Sequence, residues 1–352
     1  MMNTIPTIFN ETLPSYTAMG GNRRNTGDTA ATGVTAILLN RGGRYPRRTL
    51  FAELEKAGFD RVISLEGPQD RYDLEELAER FPFVRFILLK DVLSPGEQIN
   101  LGVTETASPL FFVLWNDLRF LLGGDAAKIA FWLRLSPEKL LKAPPGASPM
   151  RRLCTVPVIQ NSRLEILSTI ASPALYRSKL PWKLRDNLKA LHFPPEVEAQ
   201  PTLYPFDGVG IYDRERFIRL GGFDGTIQNP YWQFMDFGFR AYLWGDEIRC
   251  TRMIRMSCDG EAVPKDTTAD SGYRRFYLRN LAPVFRKDTA HIPLRLFPGY
   301  LFKTGEDLSR AWREFRENRQ WVEANSRRFQ RDAHILTGLW EQESPPTGTA
   351  PS

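Results

Sequence analysis

The sequence predicts an α/β protein built on a mainly parallel sheet with helices on both faces. Two observations carry this. Short apolar, partly β-branched runs alternate with segments of helical spacing four times between Val34 and Asp117. In addition, the 352 residues are 42% hydrophobic and 25% charged, the mixture of a globular chain, which excludes disorder over its whole length.

The elements follow in order. Residues 1–33 read as a flexible tail, because Thr17–Gly33 is rich in Gly, Thr and Asn and has no apolar period. Val34–Leu39 (VTAILL) reads as a buried strand stopped by Asn40-Arg41-Gly42-Gly43. Thr49–Gly58 places Leu50, Leu54 and Ala57 at helical spacing, with Gly58 as its stop. Arg61–Leu65 is the second strand and ends at Glu66-Gly67-Pro68. Leu74–Phe81 is a helix, Val84–Leu89 a third strand, and Glu97–Thr106 a helix weakened by Gly102. Leu110–Leu114 is the fourth strand and runs into Trp115-Asn116-Asp117.

From Gly123 to Gln200 the alternation breaks. Pro-rich pieces at Ala143–Pro149 and Phe193–Pro201 surround a strand at Thr155–Ile159, so this stretch reads as an insertion with long loops. Pro205–Tyr212 is strand-like, and Arg214–Leu220 is a short helix before Gly221-Gly222-Phe223-Asp224. Trp232–Trp244 is an apolar helix with Asp236 and Arg240 four apart on one face. Glu247–Met256 alternates like a strand. In Asp307–Phe329 the residues Leu308, Trp312, Phe315 and Val322 mark an amphipathic helix.

The composition sets limits on function. A net charge of +6 from 47 basic and 41 acidic residues fits an anionic ligand and is too small to argue for nucleic acid. Cys154, Cys250 and Cys258 make no disulfide framework and point to a reducing compartment. His192, His291 and His334 are too scattered for a Cys/His zinc site. No apolar run approaches a membrane span, and no signal peptide is evident.

In a parallel sheet, ligands bind beyond the carboxyl ends of the strands, so the loops Asn40–Arg44, Glu66–Asp70, Lys90–Gly96 and Trp115–Arg119 are the places for chemistry. Asp117 after the fourth strand can offer its carboxylate to a divalent cation that clamps a diphosphate; Asn116-Asp117 can equally be a plain turn. Glu66 can accept from a ribose or base, or be a solvated loop carboxylate. Gly208 and Gly210 allow a ligand close to the backbone. Asp236 and Arg240 can form a site or only a helix-stabilising pair. Arg151-Arg152, Arg274-Arg275 and Arg327-Arg328 could neutralise a diphosphate or lie on a solvated surface.

Taken together, these residues resemble the GT-A glycosyltransferases of the family 2 type. Val34–Asn40 resembles that family's first strand, Arg61–Glu66 the second, and Asn100-Leu101-Gly102 the helix before the fourth strand. Leu110–Asp117 resembles its metal motif, Gly221–Asp224 its Gly-Gly-Phe-Asp turn, and Trp232–Gly245 the helix after it. The resemblance spans about residues 34–258. Two departures stand out. Trp115 occupies the first acid position of the metal motif, and Gln233-Phe234 stand where the paired acids with the usual base would be.

The resemblance implies a Rossmann-like mixed sheet flanked by helices, with residues 34–290 as the GT-A domain, 291–343 as a C-terminal helical extension and 344–352 as a disordered tail. It also implies a transferase that moves a sugar from a nucleotide-diphosphate donor to a glycan, lipid-linked or other hydroxyl acceptor with inversion. Asn40, Arg41, Glu66, Asn116 and Asp117 would bind the donor, with Asp117 holding Mn2+ or Mg2+. Asp207, Gly208, Tyr231, Trp232 and Gln233 would meet the acceptor. Asp236 would be the base, with Asp207 or Asp224 as alternatives, and Arg240 would orient it. The location expected is cytoplasmic, with peripheral contact at the inner face of a membrane through the C-terminal helix and no nucleic-acid partner. A rival expectation is a catalytically impaired binding or scaffold subunit in glycan assembly. A nucleotidyltransferase is a third reading, faintly echoed by Asn40–Arg44.

Overall fold

The computed structural model describes residues 14–22, 32–41, 47–68, 73–134, 150–177, 186–258 and 265–337. Its centre is one nine-stranded mixed sheet. Strand β1 is Tyr16–Gly20, β2 Val34–Leu39, β3 Arg61–Glu66, β4 Val84–Leu89, β5 Leu110–Trp115 and β6 Leu118–Leu122. Further along come β7 (Arg151–Asn161), β8 (Ile170–Arg177), β9 (Asp186–Phe193), β10 (Gly210–Asp213) and β11 (Asp246–Cys258). The sheet order is β1-β4-β3-β2-β5-β10-β7-β11-β6, with β8 and β9 forming a separate hairpin.

The parallel heart β4-β3-β2-β5 is the part predicted from the sequence. All six side chains of β2 and all six of β5 are buried, as expected for strands covered on both faces. Helices α1 (Arg47–Lys56), α2 (Leu74–Arg80) and α3 (Pro95–Thr104) connect them. Helix α3 begins two residues before the predicted start, because Ser94 and Glu97 form a capping box and Pro95 takes the first turn. Gly102 does not break it. A Cβ there would come within 2.7 Å of Ile37 Cγ2, so the glycine lets α3 lie against β2.

Three expectations need correction. Tyr16–Gly20, assigned to the tail, is an edge strand antiparallel to β4; pairing with an existing sheet edge overrides its weak local signal. The stretch from Gly123, read as an insertion with long loops, opens instead with helix α4 (Ala126–Arg134), directly after the unassigned strand β6. Pro205–Tyr212 is not one strand: Phe206–Gly208 is a 3-10 turn, and only Gly210–Asp213 pairs, antiparallel to both β5 and β7. The possible strand at Thr155–Ile159 is the middle of the eleven-residue β7. Ala143–Pro149 and 344–352 lie outside the described residues.

Helix α5 (Arg214–Leu220) leads to α6 (Pro230–Leu243), which is buried along thirteen of its fourteen residues. Gly238 is what allows this: a Cβ would sit 2.1 Å from the Leu203 carbonyl oxygen. Phe217, Phe223, Phe234 and Phe237 pack around it, with the Phe223 and Phe237 rings 4.2 Å apart. Each fully buried ring of this kind contributes roughly 1.5–3 kcal/mol by leaving water. Helix α7 (Ser271–Phe276) continues into a π-helical turn over Tyr277–Leu281. The small strands β12 (Val284–Arg286) and β13 (Thr289–His291) precede α8 (Phe297–Thr304) and α9 (Leu308–Ala324); α9 packs back on the π turn and α8 packs on α9. The architecture is therefore a mixed sheet flanked by helices, closed by C-terminal helices. Among the described residues, no helix is long and apolar enough to cross a membrane.

Candidate active site

The strand order locates a crevice before any side chain is considered. From β2 the chain winds outward through β3 to β4, then returns to place β5 on the other side of β2. The reversal opens a gap at the carboxyl ends of β2 and β5, the place where such sheets take ligands. Asn40 and Arg41 leave β2 there, Glu66 ends β3, and Asn116-Asp117 follow β5. The structure thus gathers all five residues expected to bind the donor.

On the β3 side the central group is Glu66, which is fully buried. Its Oε1 accepts from Ser64 Oγ at 2.6 Å; its Oε2 accepts from Asn40 Nδ2 at 2.9 Å and lies 3.1 Å from Arg47 Nη2. Asn40 also donates to the Leu65 carbonyl at 2.9 Å, which fixes its amide orientation. That leaves Asn40 Oδ1 as a buried acceptor without a hydrogen-bond donor.

On the β5 side the groups are charged. Arg41 Nη2 donates to Asp207 Oδ2 at 2.7 Å, and Nη1 lies 3.5 Å from Asp117 Oδ2. The guanidinium carbon stands 4.4 Å over the Trp115 ring, and Trp115 Nε1 donates to the Asp207 carbonyl at 2.9 Å. Asn116 Oδ1 accepts from the Arg41 backbone N–H at 3.2 Å. Asp117 is 1% exposed; Cys258 Sγ lies 3.8 Å from its Oδ2, and its Oδ1 has no hydrogen-bond partner. A small concavity opens here, lined by Arg41, Leu118, Ile159, Phe206, Asp207 and Cys258.

Asp207 and Gly208 both take left-handed backbone angles, φ 51° and 72°. For Gly208 this is easy; for Asp207 it is an uncommon conformation that turns its carboxylate toward Arg41. Lys265 lies over the Phe206 ring, its Nζ 4.7 Å from that ring and 5.7 Å from the Tyr204 ring. Burial lowers its pKa to about 8, against the opposing pull of Asp207. His192, whose Nε2 is 2.8 Å from Tyr204 Oη, is lowered to about 4 by burial and by the charge of Lys265. Sequence reasoning missed Phe206, Lys265 and Arg47. None sits in a motif, and Lys265 comes to lie against Phe206 from more than fifty residues further along the chain.

The second group of expected site residues lies behind this wall. Asn100 Nδ2 donates to the Phe223 carbonyl at 2.8 Å, and Asn100 Oδ1 accepts from Phe223 N–H at 2.9 Å. Gln233 is fully buried; its Oε1 accepts from Gly96 N–H at 2.9 Å and its Nε2 donates to Ser94 Oγ and the Asp224 carbonyl. Asp236 is also fully buried. Its Oδ2 accepts from Arg240 Nη2 at 2.7 Å and its Oδ1 from Asn280 Nδ2 at 2.8 Å. Arg240 in turn donates to the Leu220 and Gly222 carbonyls at 2.7 and 2.9 Å. These side chains tie the Gly221–Asp224 turn to α3 and α6, and their hydrogen-bonding groups are used up inside the fold.

Asp224 faces Arg279 at 2.5 Å and Arg275 at 3.1 Å. Burial alone would raise its pKa, but the two arginines outweigh that and hold it at about 2. Trp232 is 4% exposed, stacks on Phe276 and donates through Nε1 to the Thr268 carbonyl at 2.7 Å. Tyr231 is nearly as buried, edge-on to Trp232. The arginine doublets also serve the fold. Arg274 pairs with Glu306 and Glu314, and Arg328 donates to the Arg219 carbonyl.

The donor set for a divalent cation can be judged from these contacts. Asp117 Oδ1 is available. Trp115 removes the first acid, Asn116 Oδ1 is engaged, and the Arg41 guanidinium already lies between Asp117 and Asp207. Among the described residues, no group of three or more His, Cys, Asp or Glu gathers. Ions such as Mg2+ are held by one or two carboxylates together with substrate phosphates and water. Here the Arg41 guanidinium spans the two carboxylates at hand, Asp117 and Asp207, so the described residues as they stand do not fit such an ion.

No protein-family model and no curated protein matches the sequence. Among solved structures, the chain is similar to GalNAc-T7, determined with UDP, GalNAc and Mn2+. The identity is 12% over 87% of this chain and 58% of that one, with a TM-score of 0.48. It is also similar to residues 1–349 of S. aureus TarS in complex with UDP. There the identity is 12% over 70% of this chain and 63% of that one, with a TM-score of 0.41. The chain thus spans about three-fifths of the length of both, and a likeness at these scores fixes neither substrate nor reaction.

Proposed function

We propose that this protein is a GT-A-type glycosyltransferase that binds a nucleotide-diphosphate sugar at the β2–β5 crevice and transfers the sugar, with inversion, to a hydroxyl of a glycan or lipid-linked acceptor. The observation that carries this is a pair of buried acceptors without donors, Asn40 Oδ1 and Asp117 Oδ1, at the strand ends that flank the switch point. A buried unpaired acceptor costs about 1–3 kcal/mol, which a ligand's hydroxyl or N–H groups would recover. Asn40 and Glu66 lie on the side suited to the nucleoside, and Arg41, Asn116 and Asp117 on the side suited to the diphosphate.

Among the three acids considered as base, Asp207 is the one that lines the concavity; its side chain is 22% exposed, against 0% for Asp236 and 7% for Asp224. In the proposed step the acceptor hydroxyl gives its proton to the Asp207 carboxylate. Its oxygen forms the bond to the anomeric carbon, and the bond from that carbon to the phosphate oxygen breaks, leaving the electron pair on the nucleoside diphosphate. Arg41 occupies the Asp207 carboxylate, so it must move onto the donor phosphates before Asp207 meets the acceptor hydroxyl. Asp207→Asn is expected to abolish sugar transfer while nucleotide binding stays within about threefold. Unchanged turnover in a purified-protein assay would rule Asp207 out as base.

A second reading, a non-catalytic binding or scaffold subunit, is favoured by Gln233, which holds an acid's place in the motif and is consumed by Gly96, Ser94 and Asp224. Donor hydrolysis or transfer lost in Asp207→Asn would exclude it. A peripheral, cytoplasmic-face membrane contact is supported by Leu294, Phe302, Leu308 and Trp312, all exposed, in a stretch that also carries Arg295, Lys303, Arg310 and Arg313. Co-sedimentation with anionic vesicles, reduced in Phe302→Ser, tests it.

A further inference from the structure

We propose that the leaving diphosphate is neutralised by Arg41, seconded by Lys265, in place of a divalent cation. This inference rests on the nucleotide-sugar reading given above and concerns how that site handles charge.

The argument begins with Trp115. Where the resembled motif carries an acid, this side chain offers an indole face, and the Arg41 guanidinium lies on it at 4.4 Å. The one replacement therefore removes a metal ligand and supplies a shelf for a planar cation. The shelf is itself anchored, because Trp115 Nε1 is hydrogen-bonded to the Asp207 carbonyl at 2.9 Å.

Position is the second point. Arg41 bridges Asp117 and Asp207, at 3.5 and 2.7 Å, and so fills the space between two carboxylates that a bound cation would need. Its side chain is 16% exposed, so the guanidinium is held yet reaches the concavity. A guanidinium presents N–H groups in a fork that matches two phosphate oxygens, which a point charge does not.

Charge balance is the third. Arg41 and Lys265 flank Phe206 and Asp207 and together bring two positive charges, the charge of one divalent cation. Asp117 and Asp207 engage Arg41 before the donor binds, so a bound diphosphate takes their place on the guanidinium.

The test uses the purified 352-residue chain and isothermal titration calorimetry with UDP, GDP, ADP and CDP, each in EDTA and in Mn2+. The expected result is that at least one of them binds in EDTA with an affinity within about twofold of that in Mn2+. Arg41→Lys should weaken that binding about tenfold or more, and Lys265→Ala severalfold, since a lysine lacks the fork. Binding that appears only in Mn2+, or that is unaffected by Arg41→Lys, overturns the inference and leaves the nucleotide reading standing. Absence of binding in every arm overturns both. The wild-type comparison of EDTA with Mn2+ decides the matter even if a variant folds poorly.

Discussion

Asn100 holds Phe223 by both of its backbone hydrogen-bonding groups, accepting from its N–H at 2.9 Å and donating to its carbonyl at 2.8 Å. One side chain on α3 thereby replaces a strand partner for an isolated turn residue. Gly222 must remain side-chain-free for this to work, since a Cβ there would meet Asn100 Oδ1 at 2.4 Å. Asn100→Ala strands two buried backbone groups. We expect a loss of about 2–4 kcal/mol in urea unfolding, from two unsatisfied groups at roughly 1–3 kcal/mol each less partial relaxation.

Asp236 and Arg240 should behave as a buried pair that supports the fold. Arg240→Ala leaves an uncompensated carboxylate and strands the Leu220 and Gly222 carbonyls, so a cost of about 3–5 kcal/mol is expected. Asp236→Asn should lower the melting temperature while the folded fraction keeps its transfer rate. Intact stability with abolished transfer in Asp236→Asn would restore it as a catalytic group.

Glu66 and Arg41 can be separated by ligand choice. Glu66→Gln should weaken a nucleoside monophosphate and the matching diphosphate by a similar factor, about tenfold, because the buried carboxylate holds Asn40 and Arg47 in place. Arg41→Lys should fall mainly on the diphosphate. Calorimetry with the two ligands on both variants reads the difference directly.

His192 gives a pH dependence of stability. Its folded pKa, about 4, lies below the ordinary value of 6.5, so the unfolded chain takes up the proton first as pH falls. The stability it contributes is present above 6.5 and is lost on descending toward 4. Its partial exposure makes the effect modest. Asp246, raised to about 6 by burial despite Arg216, works in the opposite sense across the same window. Comparing wild type with His192→Gln cancels that term. The wild type should lose more melting temperature between pH 7 and 4.5 than the variant does.

Much of the parallel half was legible because its signals are local. Val34–Leu39 and Val84–Leu89 are bounded as read, and Leu110–Leu114 extends by one residue. The gathering of Asn40, Arg41, Glu66, Asn116 and Asp117 followed, since strand ends in such a sheet converge on one edge. The other half was not legible for reasons of tertiary context. Tyr16–Gly20 becomes a strand only because β4 offers it an edge, and the Phe206–Gly208 turn depends on left-handed angles that its sequence only permits. Asp236 could not be assigned from spacing alone. A carboxylate four residues before an arginine looks the same whether the pair faces a ligand or the core, and its partner Asn280 lies 44 positions away.

The π-helical turn at Tyr277–Leu281 has a consequence for how the protein can be divided. Its extra residue per turn lets two adjacent side chains face inward: Arg279 reaches Asp224 and Asn318, and Asn280 reaches Asp236. The guanidinium of Arg279 is capped by the Trp321 ring of α9 at 4.3 Å. The terminal helices are thus not an interchangeable module bolted to a self-sufficient core. A shortened chain ending before α9 would strip Arg279 of both Asn318 and Trp321, and with them the restraint on the turn behind the crevice. Swapping this end for that of another protein would require redesigning the turn together with it.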